Sequence, residues 1–184
     1  MRKPVSDEVF VHYGQLYVVS EEDAYPDLRA AFRGQGVGLC GAAEEGMLFL
    51  TTGLHTGDVS FAVEVHEQRP EIDGDGGDGG GDGGGGWEEV VEVSFTPVTT
   101  GSILMQWAGE RCWELDLPVA DYRVRYCAAG MDAGRAKDTR LDGEPVLDRY
   151  LLQFWPSPPE PPRLVRQTSE TAAYWHRFAE HVDA

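Results

Sequence analysis

Residues 59–66 read Val59-Ser60-Phe61-Ala62-Val63-Glu64-Val65-His66, and the fold assignment turns on them. Val59, Phe61, Val63 and Val65 alternate with Ser60, Ala62, Glu64 and His66. A strand sends successive side chains to opposite faces, so this period of two puts four apolar residues on one side. The pattern predicts a half-buried antiparallel strand.

The same signal recurs in both directions. Upstream, residues 47–51 (MLFLT) read as a short apolar strand. Residues 8–20 (EVFVHYGQLYVVS) give either two short strands or one strand with a bulge at Gly14. Downstream, Val91, Val93 and Phe95 alternate with polar residues, as do Ile103, Met105 and Trp107. Trp113, Leu115 and Leu117 form one such run and Tyr122, Val124 and Tyr126 another. The turn between these two predicts a hairpin with Glu114 and Asp116 beside Arg123 and Arg125. Residues 150–155 (YLLQFW) are apolar on both faces, which suits a central strand.

Helical signals are few. Asp23 and Pro26 predict a short helix over residues 23–33. Thr168 or Ser169 can cap a C-terminal helix at about 168–182, with Ala172, Trp175, Phe178, Ala179 and Val182 on one stripe. Residues 130–145 read as a long polar loop and residues 156–162 as a stiff, proline-rich linker. Residues 71–86 hold ten glycines and five acidic residues, which predicts a flexible loop. The sum is a mainly β chain. One domain over 1–184 is expected, an antiparallel β-sandwich of about eight strands with a short N-terminal helix and a C-terminal helix.

Composition narrows the function. The 184 residues carry 32 acidic and 15 basic side chains, a formal charge of −17. Residues 1–70 contribute −6, residues 71–86 contribute −5 and residues 87–184 contribute −6, so the acidity is spread along the chain. Such a chain is repelled by phosphate, which argues against direct nucleic-acid binding. Cys40, Cys112 and Cys127 lack the spacing of a zinc site or a disulfide framework. The N-terminus turns acidic at Asp7 with no apolar core of a signal peptide, and no apolar run nears the ~18–20 residues of a spanning helix. A cytoplasmic protein without membrane contact is expected.

Chemical motifs are sparse. Asp73, Asp75, Asp78 and Asp82 lack the ligand order of an EF-hand or a calcium-binding β-roll. His55 and Asp58 share a turn, but His66 lies a whole strand away, so no metal site is expected. No nucleophile elbow, phosphate loop or dinucleotide fingerprint occurs, and no cofactor is expected. The favoured reading is a non-enzymatic, acidic protein-binding module that inhibits or neutralises a basic protein such as a nuclease. Its contacts would be Glu88, Glu89, Glu92, Glu110, Glu114 and Asp116 on adjacent predicted strands. The alternative is a small-molecule-binding or enzymatic sandwich using His12, His55 and Cys40 around a pocket.

Four stretches also resemble the competence protein J family, small inhibitors of the DNA-entry nuclease in competent bacteria. They are VHYGQLYVVS (11–20), GDVSFAVEV (57–65), WELDLPVADYRVRYC (113–127) and DRYLLQFWP (148–156). The chain departs from that family in its glycine/aspartate insertion, its proline linker and its C-terminal helix. The resemblance implies a non-enzymatic, cytoplasmic inhibitor that occludes a nuclease.

Overall fold

In the computed structural model, which describes residues 1–21, 24–72 and 86–182, the strand β5 (Gly57–Val65) lies inside a six-stranded sheet. One neighbour is β1 (Arg2–Val11), antiparallel to it. The other is β10 (Arg149–Pro156), which runs parallel to β5 with Tyr150 opposite Phe61. The sheet continues through β9 (Tyr122–Ala129), β6 (Glu89–Phe95) and β11 (Arg163–Arg166). The predicted strand is therefore confirmed, but in a mixed environment.

A second sheet has the order β3 (Cys40–Gly41), β4 (Met47–Thr51), β2 (Gln15–Val19), β7 (Ile103–Gln106) and β8 (Cys112–Glu114). The two inner faces enclose the main core, which includes Val59, Phe61, Val63, Leu48, Leu50, Leu104, Tyr126 and Phe154. The architecture is thus a sandwich of eleven strands among the described residues, more than the eight expected. No helix among the described residues is long and apolar enough to cross a membrane.

Three helices among the described residues dress this frame. The helices α1 (Leu28–Phe32) and α3 (Glu170–His181) pack on the outer face of the smaller sheet through Phe32, Ala179 and Val182 against Tyr17 and Phe49. Asp27 caps α1: its carboxylate accepts from the Ala30 amide at 2.7 Å. Ser169 caps α3 in the same way, as its residue type predicts. The expected cap Asp23 and most of the 71–86 tract lie outside the described residues. The predicted loop after Ala129 contains a helix, α2 (Met131–Lys137).

The largest departure concerns the predicted hairpin at Pro118. Strand β8 pairs with β7 in the smaller sheet, whereas β9 belongs to the larger one. Glu114 and Asp116 therefore do not neighbour Arg123 and Arg125. Leu115 and Leu117 are fully buried between the sheets, and Asp116 between them has φ +47°. Burying both leucines draws the chain across the core, and the left-handed residue breaks the strand that would otherwise continue.

Candidate functional site

The two sheets meet at a corner built from three turns. At the first, β1 passes into β2 through His12-Tyr13-Gly14, with φ +56° at Tyr13 and +62° at Gly14. Two successive left-handed residues make the tight reversal that suits strand twist. Gly14 also allows close approach: a Cβ there would lie 3.3 Å from the Leu54 carbonyl oxygen. Its amide donates to the His55 carbonyl at 2.8 Å, and its carbonyl accepts from Thr52 at 3.0 Å.

The second turn is the 52–56 loop so engaged. Leu54 is buried in the core, and its amide donates to Asp148 Oδ2 at 2.9 Å. The amides of His55 and Thr56 both donate to the Asp138 carbonyl at 3.0 Å. His55 is thereby held out into solvent on a fixed backbone. The third turn is the short 3-10 segment Trp107–Gly109 after β7, where Ala108 has φ +58°.

Together the turns assemble a cluster of rings. His12 lies 4.2 Å from Tyr13 and 5.1 Å from Trp107 by ring centroids, and Tyr13 lies 5.3 Å from Trp107. His55 stands 5.2 Å from Tyr13 and 6.1 Å from His12. Thr56 Oγ1 sits between the histidines, 2.8 Å from His55 Nδ1 and 3.4 Å from His12 Nδ1. Tyr13 remains 50% exposed, a large ring held in water on a left-handed backbone. Non-glycine residues in that conformation cost about 1–3 kcal/mol each and concentrate at functional sites. Three of the five such residues among the described ones, Tyr13, Ala108 and Asp138, form or support this corner.

The corner brings together His12 and His55 from the expected pocket, but not Cys40. Cys40 faces the core at 0% exposure, where burial pushes its thiol pKa far up. That is the environment of an inert cysteine. Nor do His55, Asp58 and His66 converge. Asp58 lies 3.6 Å from Arg140, and His66 bonds Glu64 at 3.0 Å.

The six expected acidic contacts divide between the sheets. Glu88 is exposed and accepts from the Gly130 amide at 2.8 Å. Glu89 is buried and accepts from the Thr168 and Ser169 amides, at 3.1 and 2.6 Å, where the chain enters α3. Burial raises its pKa above the usual carboxylate range. Glu92 is also buried, with Arg125 Nη2 at 2.8 Å and Arg69 Nη2 at 3.0 Å. Burial alone would raise the Glu92 pKa, but hydrogen bonds and charge from Arg125 and Arg69 outweigh it and hold the value down. Glu89 and Glu92 are thus engaged inside the molecule, where no partner reaches them.

Glu110, Glu114 and Asp116 lie instead at the β7–β8 end of the smaller sheet, all exposed. Asp116 is 3.8 Å from Arg2. Arg111 stacks 4.6 Å over Trp113 and lies 3.9 Å from Asp7. Glu110 and Glu114 have no ion pair among the described residues. Beside them, half-buried Ile103, Met105 and Trp107 pack at the margin of the cluster under α1 and α3, and Cys112 next to Met105 is exposed. Tyr13 and Trp107 read by pattern as core or core-edge residues. The signal pointing outward is the glycine after each: Tyr13-Gly14, and Trp107-Ala108-Gly109.

No protein-family model matches the chain, and no curated protein matches it. The solved structure of Crocagin biosynthetic gene J is similar over 86% of this chain and 100% of its own, with 12% identity and a TM-score of 0.46. The resemblance to competence protein J is not upheld: no family model and no curated protein matches the chain, and the similar solved structure bears another name.

Proposed function

We propose that the protein is an acidic protein-binding module whose contact surface is the aromatic corner with its Glu110/Glu114 rim. The observation that carries this reading is the exposed Tyr13 ring, fixed on a left-handed backbone against Trp107, His12 and His55. Rigid aromatic groups bury large areas with little loss of conformational freedom, and Tyr and Trp dominate interface energetics. The carboxylates beside them favour a basic partner, and the net charge of −17 would steer one toward the surface. A basic enzyme, a nuclease included, fits that chemistry. The aromatic face, unlike a phosphate-binding surface, can also stack arginine guanidinium groups.

The test is a fluorescence-anisotropy titration with a labelled peptide that alternates arginine and valine. Trp107→Ala is expected to weaken binding about tenfold, the loss of a moderate interface anchor. Raising salt should weaken it further, because exposed charges are screened. Equal binding of an alternating glutamate–valine peptide, or indifference to Trp107→Ala, would sink the proposal.

A further inference from the structure

The four outer edges of the two sheets are not alike. The edge strand β1 carries Pro4 within a register shift between Arg2 and Val5, and charged residues along its length. The edge strand β11 follows Pro161 and Pro162 and has its own register shift between Leu164 and Arg166. The edge strand β3 is two residues long, with both residues buried beneath α1. These are the devices by which sheets discourage pairing with other chains. Strand β8 is also short and carries the charged Glu114, but its register with β7 is regular and it holds no proline.

Its hydrogen-bond phase can be assigned. The Gln106 amide donates to the Arg111 carbonyl, and the Leu115 amide donates to the Ser102 carbonyl, at 3.0 and 2.9 Å. In an antiparallel pair such rungs alternate, so Arg111, Trp113 and Leu115 turn their backbone groups toward β7. Cys112 and Glu114 turn theirs the other way. No strand pairs that side among the described residues, and both residues are exposed. Two amides and two carbonyls thus stand unpaired along one regular edge, with the Glu114 side chain beside them and Glu110 at its end.

We propose that the outer edge of β8 receives an extended, basic segment of a partner protein as a sixth strand of the smaller sheet. The inference rests on the protein-binding reading above and specifies its mode. Main-chain bonds to Cys112 and Glu114 supply the register, and the residues that make them point their side chains onto the same face as Glu114. Arginine or lysine at those positions meets Glu114 and, farther along, Glu110. The segment then runs toward Trp107 and Tyr13. A second copy of this chain fits poorly, because antiparallel pairing of two β8 edges would set carboxylates of two −17 chains side by side.

The experiment uses the arginine–valine peptide in three forms: unmodified, N-methylated at the arginines, and N-methylated at the valines. All three carry the same charge. Methylation removes the amide donors of one peptide edge at a time. Loss of binding by at least about tenfold for the arginine-methylated form, with the valine-methylated form unaffected, is expected. Equal binding of the two methylated forms would overturn strand addition while leaving the protein-binding reading intact. Failure of the unmodified peptide to bind would overturn both. Cys112→Pro removes one outward amide without touching the β7 ladder and should match the arginine-methylated result, with folding checked by circular dichroism. A dimer in sedimentation that Cys112→Pro dissolves would show that the edge pairs with a second copy, and would overturn the proposed occupant.

Discussion

Glu92 and Glu114 are both strand glutamates on outer faces of the sandwich, yet their surroundings are opposite. Glu92 lies on the larger sheet under the 66–72 segment and the proline linker. Arg125 reaches it from β9 and Arg69 from the covering segment. Arg123 beside it donates to the Glu160 and Pro161 carbonyls at 2.8 and 2.9 Å, tying the linker down. Glu114 lies on the edge strand of the smaller sheet and is exposed. The comparison teaches that a carboxylate's position in the strand pattern does not decide its role. What covers the face decides it, and the cover comes from elsewhere in the chain.

Stability measurements are the strongest way to break this comparison. Arg125→Ala leaves Glu92 buried and short of its main partner, and should cost about 3–5 kcal/mol in urea unfolding. Glu114→Ala should stay within about 0.5 kcal/mol, as for an ordinary surface site. Similar losses in the two variants would erase the distinction.

Acid sharpens it next. His176 on α3 accepts from the Gly38 amide at 2.9 Å through Nδ1, and burial pushes its pKa below the ordinary 6.5. The folded state therefore holds the neutral ring. Its contribution is complete above pH 6.5 and is lost as pH falls below that value toward the lower folded one. Lowering pH from 7.5 to 5.5 should reduce the urea midpoint and speed amide exchange in α3. The Glu92–Arg125 face, with its carboxylate held low, should not respond over that range. A midpoint that His176→Gln leaves equally acid-sensitive would count against this assignment.

The smallest effect on stability is expected at the corner. Tyr13→Gly removes a ring but relieves the left-handed backbone, so the midpoint should move by no more than about 0.5 kcal/mol. Binding of the arginine–valine peptide should weaken all the same. A site selected for packing would lose both together.

The alternation of residues 59–65 was enough to place β5, and the apolar run at 150–155 to place a central strand. Trp113-Leu115-Leu117 carries the same alternation and misleads, because both leucines are satisfied between sheets rather than along one strand. Strand β11 was hidden by its shortness and by the prolines before it. Helix α2 was hidden by Gly130 and Gly134. The latter is required by packing, since a Cβ there would come within 2.6 Å of Asp148 Oδ2. Within the site, His12 and His55 were legible as chemistry, while Tyr13 and Trp107 needed the turns to show which way they point. Glu92 lies on the outward side of β6, as the pattern says, while Glu89, three residues earlier, shares the side of Val91 at the strand's start. What local sequence omits is the segment folded over Glu92.

The parallel pairing of β5 with β10 has a consequence for how the protein is made. The two strands are separated by more than eighty residues of chain, so their junction cannot close until the chain through residue 154 has left the ribosome. At about 5–20 residues per second, that leaves the side of β5 facing away from β1 unpaired for seconds. A nascent chain halted before Arg149 would hold the β1–β5 pair and the β6–β9 pair as separate ribbons with apolar faces open. Such a chain should be captured by chaperones or cleaved by proteases, while one extended through Pro156 should resist both.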